Sequence, residues 1–179
     1  MAGTAHTTGR VRQVEVSPDG TRVYAATASG GVWYSKDEGS TWTALGGWAV
    51  TSDVRNLDFF ANTLVCGAIL VDWDTNAGGE NDTVYVGTGE PSPRRQSYPG
   101  GALGGIGVLR SEGPVAKTRA NPFAQVWDRE GPELAGFGMY RLAFDPNNHD
   151  RIVAATSKGL WTRSVSGGTA TWGKVSASP

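Results

Sequence analysis

The sequence predicts an all-β protein built from repeated four-stranded antiparallel units. Three observations carry that expectation. Glycine is abundant, with 26 residues, while only 18% of the chain is charged, a composition that suits many tight turns between strands rich in Val, Thr, Trp and Tyr. Residues 11 to 16, Val-Arg-Gln-Val-Glu-Val, alternate apolar and polar with the two-residue period of a half-buried strand. The same order of strands and turns then recurs along the chain.

The first unit can be justified element by element. Ser17-Pro18-Asp19-Gly20 follows the first strand and reads as a turn, because Pro presets φ and Gly accepts positive values. Val23 to Thr27, small and β-branched, form a second strand, and Ala28-Ser29-Gly30 turns the chain again. A third strand, Gly31-Val32-Trp33-Tyr34, leads into Ser35-Lys36-Asp37-Glu38-Gly39-Ser40-Thr41-Trp42. That stretch is expected to be a hairpin turn stabilised by its own side chains: Ser35 and Asp37 bond to turn backbone, Gly39 takes a positive φ, and Thr41-Trp42 restarts an apolar strand. The unit ends near Leu45.

Two further copies follow. Val14-Glu15-Val16-Ser17-Pro18, Arg22 to Thr27 and Gly31-Val32-Trp33 match Leu142-Ala143-Phe144-Asp145-Pro146, Arg151 to Thr156 and Gly159-Leu160-Trp161. The middle copy comprises Ile69-Leu70-Val71-Asp72, Thr83 to Thr88 and Gly107-Val108-Leu109. Each copy closes near a Trp, at Trp42, Trp127 and Trp172. Repeated four-stranded units of this size describe the blades of a β-propeller, here at about residues 11–45, 67–127 and 139–175 of a single segment, 1–179. Blades bury both faces, which explains strands that are apolar at successive positions.

Composition excludes several classes of function. A net charge of −1 supplies no electrostatic footprint for nucleic acid. The one cysteine, Cys66, permits no intrachain disulfide and no zinc-thiolate set, and its apolar surroundings suggest a buried structural thiol. No run approaches the ~18 apolar residues of a membrane span. The first residues, Met-Ala-Gly-Thr-Ala-His-Thr-Thr, lack the features of a signal peptide.

Ser35-x-Asp37-x-Gly39-x-Thr41-Trp42 matches the Asp-box, and over about residues 11–175 the chain resembles BNR-repeat and sortilin-type (VPS10-like) propellers and bacterial members of the sialidase superfamily. The second and third copies carry degraded boxes at Ser111-Glu112-Gly113 and Ser164 to Trp172. The resemblance implies a structural role for Ser35, Asp37, Gly39, Thr41 and Trp42, on a turn far from the ligand face. It also implies an extracellular or cell-envelope setting.

In an up-and-down meander, the turns joining strands one to two and three to four share one end of the sheet. The long insertions at 46–66, 89–106 and 128–140 fall at the other, where loops on a rigid scaffold commonly hold function. Glu90, Arg94, Arg95 and Tyr98, with Trp48 and Arg55, are the ligand-binding candidates: paired arginines suit a carboxylate or phosphate, and an acid with a Tyr suits hydroxyl-rich ligands. Asp72, Asp74 and Asn76 form a weak calcium candidate, because Ala77 and Thr83 stand where a calcium loop wants Gly and Glu. No other cofactor is expected. Gly100 to Gly105 precede a strand instead of a helix, so flexibility is expected there and not a phosphate cradle. His6 and His149 have no ligand spacing, and Asn81-Asp82-Thr83 is a glycosylation sequon.

The functional expectation is a binding or interaction module whose loop face holds a carbohydrate, peptide or protein, with no catalytic residue assigned. The alternative is a glycoside hydrolase of sialidase or xyloglucanase type, or a fragment of one. Three blades cannot close a ring, so self-association or further blades are also expected.

Overall fold

A computed structural model describes residues 10–45, 65–75, 81–91, 102–113 and 127–176. They form three four-stranded antiparallel sheets, each an up-and-down meander in sequence order. Sheet 1 contains β1 (Val11–Val16), β2 (Val23–Thr27), β3 (Val32–Ser35) and β4 (Thr43–Ala44). Sheet 2 contains β5 (Cys66–Asp72), β6 (Thr83–Pro91), β7 (Ala102–Glu112) and β8 (Asp128–Arg129). Sheet 3 contains β9 (Met139–Asp145), β10 (Asn148–Thr156), β11 (Gly159–Ser166) and β12 (Thr169–Lys174). The all-β, blade-like architecture expected from the repeats is the one observed, and the three sheets do not close into a ring. Among the described residues no helix is long and apolar enough to cross a membrane.

Two apolar clusters join the sheets. Tyr24, Ala26, Val32 and Tyr34 of sheet 1 pack with Ile69, Val71, Val84 and Val86 of sheet 2. From the opposite face of sheet 2, Ala68, Tyr85 and Val108 pack with Leu142, Ile152, Ala154 and Trp172 of sheet 3. Because successive strand residues point to opposite faces, Val84 and Val86 serve one cluster while Tyr85, between them, serves the other. That is why β6 is apolar at the successive positions Val84, Tyr85 and Val86.

Each joint also carries a buried ion pair. The Arg22 Nε of sheet 1 lies 3.1 Å from Asp82 Oδ2, just before β6. At the second joint Arg163 of β11 grips Glu130 with two 2.7 Å hydrogen bonds, and its guanidinium carbon lies 5.4 Å from the centre of the Tyr85 ring. Bidentate pairing of this kind fixes orientation as well as distance. At the sheet edge His149 stacks on Phe144 at 4.5 Å, and its Nδ1 lies 2.9 Å from Asp72 Oδ1 of sheet 2.

The structure corrects three expectations about the insertions. The two ends of the 89–106 insertion are strand: β6 and β7 extend into it, pairing Gly89 with Gly104, Glu90 with Leu103 and Pro91 with Ala102, and residues 92–101 lie outside the described residues. Gly104 and Gly105 do not supply flexibility. The Gly105 N–H donates to Phe137 O, its carbonyl accepts from Gly136 N, and a Cβ there would meet Thr88 O at 2.1 Å. Glycine is needed because backbones touch at this point. Residues 128–140 contain β8 and a short 3-10 turn, Pro132–Leu134, whose Leu134 is buried between sheets 2 and 3.

The strand-three to strand-four turns differ between copies. In sheet 3 the connection is a two-residue hairpin at Gly167 and Gly168, both with positive φ, closing the Ser166–Thr169 pair. In sheet 2 the Gly113 N–H donates instead to Asp82 O at 2.7 Å.

Candidate functional site

The sheet end that carries the β6–β7 connection also receives the start of β1 and the start of β9, as the meander order requires. Glu90, on the last turn of pairing in β6, is only 9% exposed. Its carboxylate forms an ion pair with Arg10 and lies 3.5 Å from Arg12 Nη1. Arg10 is largely open to solvent while Arg12 is partly covered. A guanidinium has five donors, so both arginines retain donor capacity beyond what one carboxylate can occupy.

The support beneath this cluster is stiff. Gly89 N–H donates to Val65 O at 2.6 Å. Thr88 Oγ1 donates to Gly107 O at 2.6 Å and accepts from Ile106 N at 2.8 Å, fixing the two strands across their bulge. Cys66 lies buried below, and burial pushes its thiol up to about 12, which keeps it protonated and unreactive.

Of the six ligand-binding candidates, Glu90 alone lies within the described residues; Trp48, Arg55, Arg94, Arg95 and Tyr98 lie outside them. Arg10 and Arg12, which the sequence reading passed over, are the partners found. No local signal marks them, because they stand some eighty residues from Glu90 in the chain and Arg12 occupies an ordinary polar position of β1.

At the opposite end, the Ser35–Trp42 turn is closed by its own side chains. Ser35 Oγ donates to Asp37 Oδ1 at 2.8 Å and accepts from Gly39 N at 2.9 Å. Thr41 donates twice to Asp37, from its N–H at 2.8 Å and from its hydroxyl at 2.6 Å. Glu38 and Gly39 both adopt positive φ. Trp42 remains largely exposed, and the paired strand starts one residue later at Thr43.

Hydrogen bonds from Thr41, then from Ser35, hold the Asp37 carboxyl down at about 2 from its ordinary 3.8. Because the folded value is depressed, the turn's contribution is present above the unfolded value and lost as pH falls from 3.8 through about 2. A carbon-detected NMR titration should therefore place the Asp37 midpoint near 2, and Thr41→Val should raise it. A midpoint near 3.8 in the folded protein would contradict this bonding.

Asp72 and Asp74 are engaged by protein groups at this same end. Asp72 meets His149, and Asp74 accepts from the Asn81 side chain at 3.1 Å while its N–H donates to Asp82 Oδ1. Asn76 lies outside the described residues, and among those described no three His, Cys, Asp or Glu side chains are grouped to hold a metal ion.

The three successive four-stranded meanders are those of a propeller-type β protein. The chain is similar in structure to a GH74 enzyme of Niastella koreensis, with a TM-score of 0.52 and 16% identity over 89% of this chain, and it spans 20% of that enzyme's length. A GH74 xyloglucanase of Xanthomonas campestris is more distant, with a TM-score of 0.27 and 12% identity over 91% of this chain and 30% of its own. No protein-family pattern and no curated protein matches the chain. The likeness to the Niastella enzyme is one of fold.

Proposed function

We propose that the chain is a propeller-type binding module that presents the Glu90 end to a carbohydrate, peptide or protein ligand. The observation that carries this reading is the convergence of Arg10 and Arg12 on Glu90, beside the Glu90–Leu103 strand pair, a set of donors gathered on one carboxylate before any ligand arrives. Tyr140, exposed near the start of β9, places an aromatic ring at the same end and favours a carbohydrate, which binds through ring stacking together with directed hydrogen bonds. Arg94, Arg95 and Tyr98 belong to the same hairpin's connection. The side-chain bonding at Ser35 to Thr41 supports reading sheet 1 as a BNR repeat with a structural Asp-box.

The hydrolase reading draws on the fold shared with the Niastella enzyme. Glycoside hydrolysis requires two carboxyl groups across a bond or a Tyr nucleophile with its acid, whereas Glu90 has two guanidiniums on its carboxylate, which suits binding better than proton transfer.

Glycan-array binding and turnover of fluorogenic glycosides would be compared for the wild type, Arg10→Ala and Glu90→Gln. Retention of a glycan without turnover, weakened about ten-fold or more in Arg10→Ala, is the expected result. Turnover that Glu90→Gln abolishes would establish the hydrolase, and no glycan, peptide or protein retained on any array would overturn the binding module.

A further inference from the structure

We propose that the outer face of sheet 3 receives the outer face of sheet 1 from a second copy of the chain, head to tail. The first observation is where apolar surface is left open. Every exposed large hydrophobic residue among those described belongs to the end sheets or their flanks: Val11, Val14, Val16 and Trp42 with sheet 1, and Tyr140, Leu160 and Val175 with sheet 3. Sheet 2, covered on both faces, leaves none. Grouped apolar exposure marks an interaction surface where scattered single residues would not.

Register assigns these residues to faces. Val14 and Val16 pair with Ala25 and Val23, whereas the alternate residues Gln13 and Glu15 pair with Ala26 and Tyr24, the face that meets sheet 2. Consistent with this, Gln13 Oε1 accepts from Ile69 N of sheet 2 at 3.2 Å. Val14, 47% exposed, and Val16, 52% exposed, therefore point away from sheet 2. In sheet 3, Leu160 pairs with Ala155, while the alternate residues Ala154 and Ile152 face sheet 2, so Leu160, 51% exposed, also points outward.

The chain's own internal joint shows what fits such a face. By the repeat alignment, Val14, Val16, Trp33 and Trp42 correspond to Leu142, Phe144, Trp161 and Trp172. In sheet 3 those four all belong to or pack against the cluster that docks on sheet 2. The outer face of sheet 1 thus carries the residue set of a sheet that docks on a preceding one. Conversely, Leu160 corresponds to Val32, and Val32 is buried where sheet 2 docks on sheet 1. The outer face of sheet 3 is a receiving face, and sheet 1 supplies the docking face. The two ends are complementary to each other instead of to themselves, so contact is heterologous; two copies give six sheets, within the range in which propellers close, and closure satisfies both ends at once.

Sedimentation velocity of the 179-residue chain tests this with Val16→Asp and Leu160→Asp, both solvent-exposed positions whose near-UV circular dichroism should match the wild type. The wild type is expected to sediment at twice the 18.8 kDa chain mass. Each variant alone spoils every head-to-tail contact and should associate at least about ten-fold more weakly. An equimolar mixture of the two restores one intact contact, between the sheet 3 face of Val16→Asp and the sheet 1 face of Leu160→Asp, and should recover heterodimer. A monomeric wild type at its solubility limit would overturn the proposal, as would association indifferent to either substitution, or a mixture no better than its components.

Discussion

Gly107→Ala is expected to prevent the chain from reaching its native packing, with a loss of about 4 kcal/mol or more. Gly107 sits in β7 at φ +111°, and a Cβ on it would lie 1.9 Å from Gly131 O and 2.7 Å from Gly131 C. Both obstacles are backbone, so no side-chain rotation relieves them. The strand cannot retreat in the other direction, since Gly107 O accepts the Thr88 hydroxyl and the adjoining Val108 O accepts Glu130 N at 2.8 Å. Moving either backbone would strip hydrogen bonds from β6 or from the segment before the 3-10 turn. Gly20→Ala supplies the comparison: φ is also positive, at +78°, yet nothing lies within 4 Å. It should cost only the left-handed penalty, about 1 kcal/mol. Urea unfolding followed by Trp fluorescence separates the two, and equal midpoints for both variants would refute the steric account.

Gly107 and Gly20 also show what a sequence can and cannot disclose. Turn chemistry is local, so Pro18-Asp19-Gly20 announces its hairpin and the recurrence of strand, turn and Trp announces three sheets. Close backbone approach is not local. Gly104 and Gly105 look in sequence like a flexible linker, and their role becomes visible only once Phe137, Gly136 and Thr88 are seen against them. The site obeys the same division. Glu90 stands out by its neighbours Arg94, Arg95 and Tyr98, but its observed partners Arg10 and Arg12 come from another sheet, and strand pairing at Glu90–Leu103 turns an expected loop residue into a strand residue. Contacts between distant repeats leave no mark in any one repeat.

A contact of that distant kind sets the second large effect: Asp82→Ala should cost about 3–5 kcal/mol, the usual consequence of removing one partner of a buried pair. The Asp82 side chain has no solvent exposure and that of Arg22 almost none. Asp82 accepts from Arg22 Nη2 at 3.2 Å, from the Tyr24 hydroxyl at 3.2 Å and from Asp74 N at 2.8 Å. Alanine would remove the carboxylate that faces the Arg22 guanidinium, whose other contacts include the Asp74 carbonyl at 2.9 Å and the Trp73 ring at 5.6 Å. Asp82→Asn keeps an acceptor for Tyr24 and Asp74 and should cost less. Burial pushes the Asp82 carboxyl above its ordinary 3.8, with the Asp74 N–H and Arg22 working against that shift. Its folded value being raised, protonation of this group favours the folded state, and its contribution declines as pH rises from 3.8 through the folded value. That sign is opposite to Asp37, so the two separate in a comparison of stability against pH: subtracting the Asp82→Asn curve from the wild type isolates a term that falls with rising pH. Replacing both partners, Arg22→Met with Asp82→Leu, should recover most of the loss, because an apolar pair needs no desolvation of charge. A double variant no more stable than Asp82→Ala would show that the hydrogen bonds to Asp82, and not the loss of charge neutralisation, carry the joint between sheets 1 and 2.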